Sequence, residues 1–479
     1  AMSLNNLALT YSHLAQYDKA LSLQQRSLAI FEKELGPGHP DTAINLDNLA
    51  VTYSNLAQYD KAIPLQQRAL AIYEKEVGPD HPDTALSLNN LAVTYSNLAQ
   101  YDKALPLDQR ALAIYEKELG PDHPKTALSL NNVGEVYSAL AQYDKALPLH
   151  QRALKIREKA LGPDHPRTAM SLNNLAQTYT NLAQYDKAIP LQQRALAIYE
   201  KVLGPDHPKT ATSLSNLALI YSDLAKYEQA LPLQRRSLAI SEKVLGPDHP
   251  KTATSLNNLA ATYSNLAQYD KALPLDQRAL KIREKALGPD HPGIATSLNS
   301  LASTHSDLAQ YDKALPLFRR ALKIREKVLG LDHPDTALSL NNLAFTHSVL
   351  AQYDKALERY QLALAINEKA LGPDHPDTAM SLDNLAATYN ELAQYDKAIP
   401  LQRRALKIRE KALGPEHPKI AISLVNLATT YNELAQYDKA MPLQQRALEI
   451  REKVLGPDHP DTALSLNNQA LTYNFLAQY

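Results

Sequence analysis

A histidine stands at His39, His81, His123, His165, His207, His249, His291, His333, His375, His417 and His459, each 42 residues from the next and each inside a variant of the phrase "LGPDHP". A chain of 479 residues would ordinarily divide into about three domains, but that expectation fails when one unit is written many times. What this chain folds into is therefore set by a 42-residue unit and by how that unit meets its own copy.

Each copy carries two amphipathic segments. Leu46, Leu49, Ala50, Tyr53 and Leu56 recur at three- and four-residue spacing, the mark of one buried helical stripe, and Ala62, Leu65, Ala69, Leu70 and Ile72 make a second. Gly78 accepts the backbone of a helix end and Pro79 blocks continuation, while Pro82 suits a first helical turn, with His81 before it as a capping or turn residue. Between the two helices, Asp60 reads as the N-cap and Pro64 falls in the next first turn. The unit is an antiparallel helical hairpin, which cannot bury both stripes alone and must stack on its neighbours. The expected fold is all-α, an α-α superhelix. A single solenoid over residues 1–479 would hold eleven 42-residue helix pairs (1–42, 43–84 and so on to 421–462) and a final unpaired helix, 463–479. Gln469 takes the place of Leu7, Leu49, Val133 and Leu427 there, as expected where no second helix follows.

Composition narrows the function classes. A formal net charge of −1 gives no field to draw nucleic acid or anionic lipid, and no apolar run approaches the ~20 residues of a membrane span. Cysteine is absent, so nothing calls for an oxidising compartment, and a cytoplasmic setting is expected. The linker histidines do not make a metal site: equivalent atoms of stacked repeats lie on the order of 10 Å apart, whereas a metal needs its ligands within ~2.3 Å. No HExxH, phosphate loop or nucleophile triad appears, so neither an enzyme nor a cofactor is expected. The "KIREKA" runs at Lys155–Ala160, Lys281–Ala286 and Lys407–Ala412 contain their own acid and read as solvated helix faces.

At this point the residues resemble a known family. Leu4, Leu7, Ala8, Tyr11, Ala20 and Ser27, then Leu46, Leu49, Ala50, Tyr53, Ala62 and Ala69, fall at the offsets of the tetratricopeptide repeat, and the match runs through the whole chain. The 42-residue period and the "LNNLA" phrase look most like kinesin light chain repeats and their bacterial relatives. The resemblance implies a right-handed superhelix whose first helices line a concave groove that binds peptide segments. On that alignment a groove-facing row comprises Asn48, Asn90, Asn132, Asn174, Asn216, Asn258, Asn342, Asn384 and Asn426, with Asn6 and Asn468 at its ends and Ser300 interrupting it. An asparagine amide both donates and accepts, so it matches a peptide backbone without reading side chains. An extended chain advances about 3.3 to 3.6 Å per residue, and a ladder step near 10 Å meets it about every third residue. The plainer reading is a polar face bonded to neighbouring helices and water.

One turn further along, Val51, Val93, Glu135, Gln177, Leu219, Ala261, Ser303, Phe345, Ala387 and Thr429 vary freely. The groove row lacks lysine and arginine, and Asp223, Asp307, Glu391 and Glu433 add acids, which argues against the acidic cargo that a kinesin light chain would suggest. The expected function is a non-catalytic interaction scaffold whose partner is a protein or peptide segment, not nucleic acid or membrane. Two alternatives stand beside it: a rod-like spacer that self-associates end to end, and the sensor arm of a larger signalling protein. His305 and His347 replace the tyrosine of other copies, while Phe318 and Tyr360 appear on the second helices of the same two copies, so each histidine is expected to touch its new ring.

Overall fold

The structure, a computed structural model, describes residues 2–476; Ala1 and the last three residues of the expected final helix lie outside the described residues. Among the described residues there are 23 helices and no strand. First helices such as Pro82–Asn97 alternate with second helices such as Tyr101–Glu118, and the series closes on Pro460–Leu476.

The punctuation works through side chains that the repeat carries in nearly every copy. His81 caps the helix Pro82–Asn97 by accepting the Asp83 N–H on Nδ1 (3.2 Å), with proline at the first helical position. Thr84 ties the linker shut by donating its hydroxyl to the Gly78 carbonyl (2.7 Å), and Gly78, at φ 107°, ends the previous helix in a conformation only glycine adopts cheaply. The turn inside each hairpin differs from expectation. Gln58, not Asp60, occupies the N-cap, with no side-chain cap bond; Asp60 sits in the first turn, where its charge suits the positive helix end. The turn is closed instead by a left-handed alanine. Ala57 has φ 54°, its N–H donates to Ser54, and the Gln58 N–H reaches back to the Tyr53 carbonyl (2.9 Å), a glycine-type helix stop written with alanine in eleven copies.

The core is a chain of small clusters. Ala85 and Leu88 of one first helix meet Ala111, Ile114 and Tyr115 of its second helix, all buried, with Leu70 joining from the preceding repeat. Full burial of a leucine such as Leu88 contributes about 1.5–3 kcal/mol, and the small alanines let the helices approach. Gln469 is itself buried, and its amide donates to Gln445 Oε1 (2.7 Å) on the preceding second helix. Phe318 packs on Ala302, Ala314 and Leu343, reaching the next repeat, whereas His305 Nδ1 pairs with Gln310 Oε1 (3.0 Å) in the turn. His347 and Gln352 repeat that pairing at 2.9 Å, and Tyr360 packs on Ala344, Ala356 and Leu385.

Successive first helices touch one another directly, so they form the inner wall and the second helices the outer one. The wall closes on itself. His249 Nε2 lies 3.2 Å from the carbonyl of His13, the last residue of the helix Met2–His13. The same contact recurs from His291 to Asn55, His333 to Asn97, His375 to Ala139 and His417 to Asn181, always 236 residues apart. Each of these histidines accepts a cap N–H on Nδ1, which fixes the proton on Nε2 and makes that nitrogen the donor. One turn of the superhelix therefore rests on the turn before it along a seam of histidines against unpaired helix-end carbonyls. Cavities of about 710 and 880 Å³ follow the seam, the first between Tyr101 and His333, the second between Tyr143 and His375.

Candidate functional site

The face left open on each first helix is the stripe that looks inward. On Pro82–Asn97 the exposed residues are Leu86, Val93 and Asn97, with Asn90 half-buried between them, while the rest of the helix is covered by neighbours. All nine asparagines of the expected row, Asn48, Asn90, Asn132, Asn174, Asn216, Asn258, Asn342, Asn384 and Asn426, are half-buried in this stripe. Their amides are not all unengaged. Asn174 donates to Glu135 Oε1 (2.8 Å) across one repeat, and Asn90 and Asn132 hydrogen-bond the carboxylates of Asp47 and Asp108. Burial pushes both of those carboxyls up to about 7, with the asparagine bonds pulling the other way.

The two adjacent asparagines of "NNLA" have separate tasks. Asn89 is buried and donates to Ser129 Oγ (2.9 Å) of the next repeat, and Asn131 repeats this with Ser171 (3.2 Å). The first asparagine joins repeats, and the second faces the bore.

The stronger feature of the inner face is apolar. Ile44, Leu86, Leu338, Ile422 and Leu464, one helical turn before the asparagine row, are exposed, and Val51, Val93, Leu219 and Phe345, about one turn after it, are too; Val93 is 49% and Phe345 56% exposed. A soluble surface seldom lines up large apolar side chains in this way unless something covers them. The sequence reading passed over the leucine position because it matched the core pattern. A helical wheel would have separated it, since Leu86 falls on the face opposite Leu88 and Ala92.

Among the described residues no group of three or more histidines, aspartates or glutamates could hold a metal ion, and no helix is long and apolar enough to cross a membrane. Isolated buried titratable groups serve packing. His150 lies against the helical Gly134, bonds Thr178 (2.8 Å) and is pushed down to about 4 by burial. Burial likewise lifts Asp276 to about 6 although Thr304 and Asn257 bond it.

The tetratricopeptide repeat family pattern matches in overlapping segments, 1–75, 48–117, 83–159 and onward to 419–479, that together span the chain. The chain belongs to the tetratricopeptide repeat family. Among solved structures it is similar to a candidate kinesin light chain of Podosopora anserina with nearly identical TPR-like repeats, at 29% identity over 43% of this chain and 97% of that one, TM-score 0.38. BtubC of P. vanneervenii matches at 22% identity over 49% and 91%, TM-score 0.39. The Rap protein complexed with Competence and Sporulation Factor matches at 17% identity over 78% and 99%, TM-score 0.51, a likeness of fold. Nothing among curated proteins matches the chain.

Proposed function

We propose that this protein is a non-catalytic scaffold, working in the cytoplasm, whose inner face holds an extended segment of a protein partner. The observation that carries the reading is the inner stripe itself, where exposed Ile44 and Val51, Leu86 and Val93, and Leu338 and Phe345 flank the amides of three first helices and Leu219, Ile422 and Leu464 stand beside others. The apolar side chains supply burial and the amides supply backbone hydrogen bonds, a division of labour typical of peptide grooves. The Rap protein, of the same fold, is complexed with a factor, which adds a precedent.

The seam sharpens the proposal. The seventh first helix rests on the first, so about six first helices complete a turn. At ~10 Å spacing their perimeter is ~60 Å, and after subtracting helix radii of ~5 Å the bore is on the order of 10 Å. That bore suits one extended chain better than a helix, which is itself about 10–12 Å across. Entry is along the axis or by parting the turns. For a peptide selected on the protein from a random display library, changing Asn90, Asn132 and Asn174 together to Ala should weaken binding by about 0.5–1.5 kcal/mol per lost hydrogen bond. The circular dichroism should not change. Unchanged affinity, or loss of helicity, would remove the amide row from the reading.

A second reading is favoured by the seam, which joins unlike surfaces and so propagates head to tail. His39, His81, His123, His165 and His207 make the cap bond on Nδ1, and among the described residues none of them meets a helix-end carbonyl through Nε2. On this reading a second copy's helix-end carbonyls meet them and the superhelix continues as a rod. Sedimentation that rises with concentration in the native protein, and does not in a His81→Asn, His123→Asn, His165→Asn variant, would support it. Sedimentation independent of concentration would end it.

A further inference from the structure

One place on the inner face departs from the pattern. On the second helix Tyr227–Leu245, Ser241 stands where other repeats place a large side chain: Tyr73, Tyr115 and Tyr199 in three copies, Arg157, Arg283, Arg325, Arg409 and Arg451 in five, with Phe31 and Asn367 in the remaining two. The occupants of that seat use fixed partners. Arg157 donates to the Arg167 carbonyl (3.0 Å) and Ser171 Oγ (2.9 Å), and Arg325 and Arg451 make the same two bonds ten and fourteen residues on. At Ser241 the corresponding groups are the Lys251 carbonyl and Ser255 Oγ. The only side chains bonded to them are their own serines: Ser255 Oγ lies 3.5 Å from the Lys251 carbonyl and 3.1 Å from the short Ser241 hydroxyl.

The vacancy is a cavity of about 320 Å³, reaching from Ser237 and Ser241 to Thr212 and Thr254 on the inner stripe. Its mouth is open because those threonines replace the Leu86, Leu128, Met170, Leu338, Met380 or Ile422 of other copies. Its depth is widened by Ser215, which takes the place of Asn89 and Asn131 and donates to Gln234 Oε1 (3.1 Å). Gln234 is fully buried, and its Nε2 has no hydrogen-bond partner. Four residues, Thr212, Ser215, Ser241 and Thr254, have thus been shortened around one point, each by a substitution that removes side-chain volume and leaves a hydroxyl.

What fits is indicated by the chain's own occupants and by charge. Lys209 and Lys251 line the cavity, no acid does, and Arg283 donates to Thr254 Oγ1 (3.0 Å) in its wall, so a second guanidinium is disfavoured. A phenol is uncharged and flat, and where Tyr115 fills the seat its hydroxyl is buried without a hydrogen-bond partner, so the ring rather than the hydroxyl is what the seat holds. In the repeat where the seat is filled by Tyr115, Lys125, the counterpart of Lys251, lies 5.8 Å from the ring centroid. We propose that the Ser241 cavity accepts a tyrosine side chain of the segment held on the inner face, giving an otherwise sequence-tolerant bore one point of recognition. The proposal rests on the inner-face reading above.

The test uses the full chain and p-cresol, the free tyrosine side chain, followed by ligand-observed NMR. One saturable site is expected, with n-propylguanidinium at least about tenfold weaker because Lys209, Lys251 and Arg283 already surround the cavity with positive charge. Ser241→Tyr, which restores the residue of three other repeats, should abolish p-cresol binding and keep the melting temperature. Thr254→Leu, which closes the mouth, should weaken it with the seat intact. Equal p-cresol binding to the native chain and Ser241→Tyr, no binding at all, or tighter binding of n-propylguanidinium would overturn the proposal. If p-cresol fails while selected peptides still bind the inner face, the seat alone is refuted; if p-cresol binds and no peptide does, the inner-face reading fails alone.

Discussion

The seven residues "LAQYDKA" occur identically at Leu140–Ala146 and at Leu308–Ala314, and they fold into the same turn, with Ala141 at φ 52° and Ala309 at φ 56°. Their surroundings are nevertheless opposite. Ala141 is 7% exposed beneath the next superhelical turn, and the Tyr143 hydroxyl beside it is pushed up to about 12 by burial, then by the Asp377 charge. Ala309 is exposed. The histidines mirror this: the His375 side chain, in the seam, is 9% exposed, while His39 and His81 are 41% and 43% exposed. Identical sequence therefore gives two environments, because the seam depends on which turn of the superhelix a repeat occupies.

The largest expected break in this comparison comes from acid. His249, His291, His333 and His375 are held below the ordinary histidine value, burial being the first cause, and His417 is pushed down to about 4. A depressed folded value means that the stability these histidines give is complete above their unfolded value of about 6.5 and is lost as pH falls toward about 4. For His417 alone that is on the order of 3 kcal/mol. Asp47, Asp108 and Asp276, raised by burial inside repeats, act in the opposite sense, so a melting curve mixes both effects. Small-angle scattering separates them: the radius of gyration should rise between about pH 7 and pH 4 as the turns part with helicity retained. A constant radius would mean that the histidines do not hold the seam.

A matched pair of substitutions comes next. His375→Asn keeps an N-capping side chain and removes the Nε2–H donor to the Ala139 carbonyl, which should cost about 1–3 kcal/mol. His81→Asn makes the same change outside the seam and should stay within about 0.5 kcal/mol. Equal effects in urea unfolding would show that the seam contributes no stability.

The smallest effect concerns the left-handed alanines. Ala309→Gly removes a strain of about 1–2 kcal/mol, partly offset by glycine's chain entropy, and should stabilise by roughly 0.5–1 kcal/mol. At Ala141 the buried methyl is lost as well, about 0.8 kcal/mol, so Ala141→Gly should be near neutral. A difference of the reverse sign between the two variants would contradict the assignment of covered and open turns.

Much of the fold was legible because it is local. Gly78, Pro79, His81 and Pro82 dictate where helices stop and start, and the three- and four-residue spacing dictates which face is buried. Asp60 misled because an aspartate before a helix normally caps it, and here the left-handed Ala57 closes the turn three residues earlier, leaving Gln58 at the cap position. The seam was not legible, since it arises from a small rotation per repeat summed over about six repeats, which no single repeat encodes. On the inner face the asparagine row was found by alignment, but the bonds of Asn90, Asn132 and Asn174 depend on whichever acid the neighbouring copy supplies. Ser241 was visible in the sequence as the one serine in its column, and only the cavity gives that serine a meaning.

The most direct test of the inner-face account uses the absence of cysteine in the native chain. Val93→Cys places a single thiol on the inner stripe, and Lys75→Cys places one on an outer helix, where the native side chain is 81% exposed. Maleimide alkylation is then timed with and without a saturating peptide selected from the display library. The account expects the peptide to slow alkylation of the Val93→Cys variant at least about tenfold, a loss of exposure worth ~1.4 kcal/mol, and to leave the Lys75→Cys variant unchanged. Protection of the outer thiol, or equal rates at both positions with peptide bound, would contradict it.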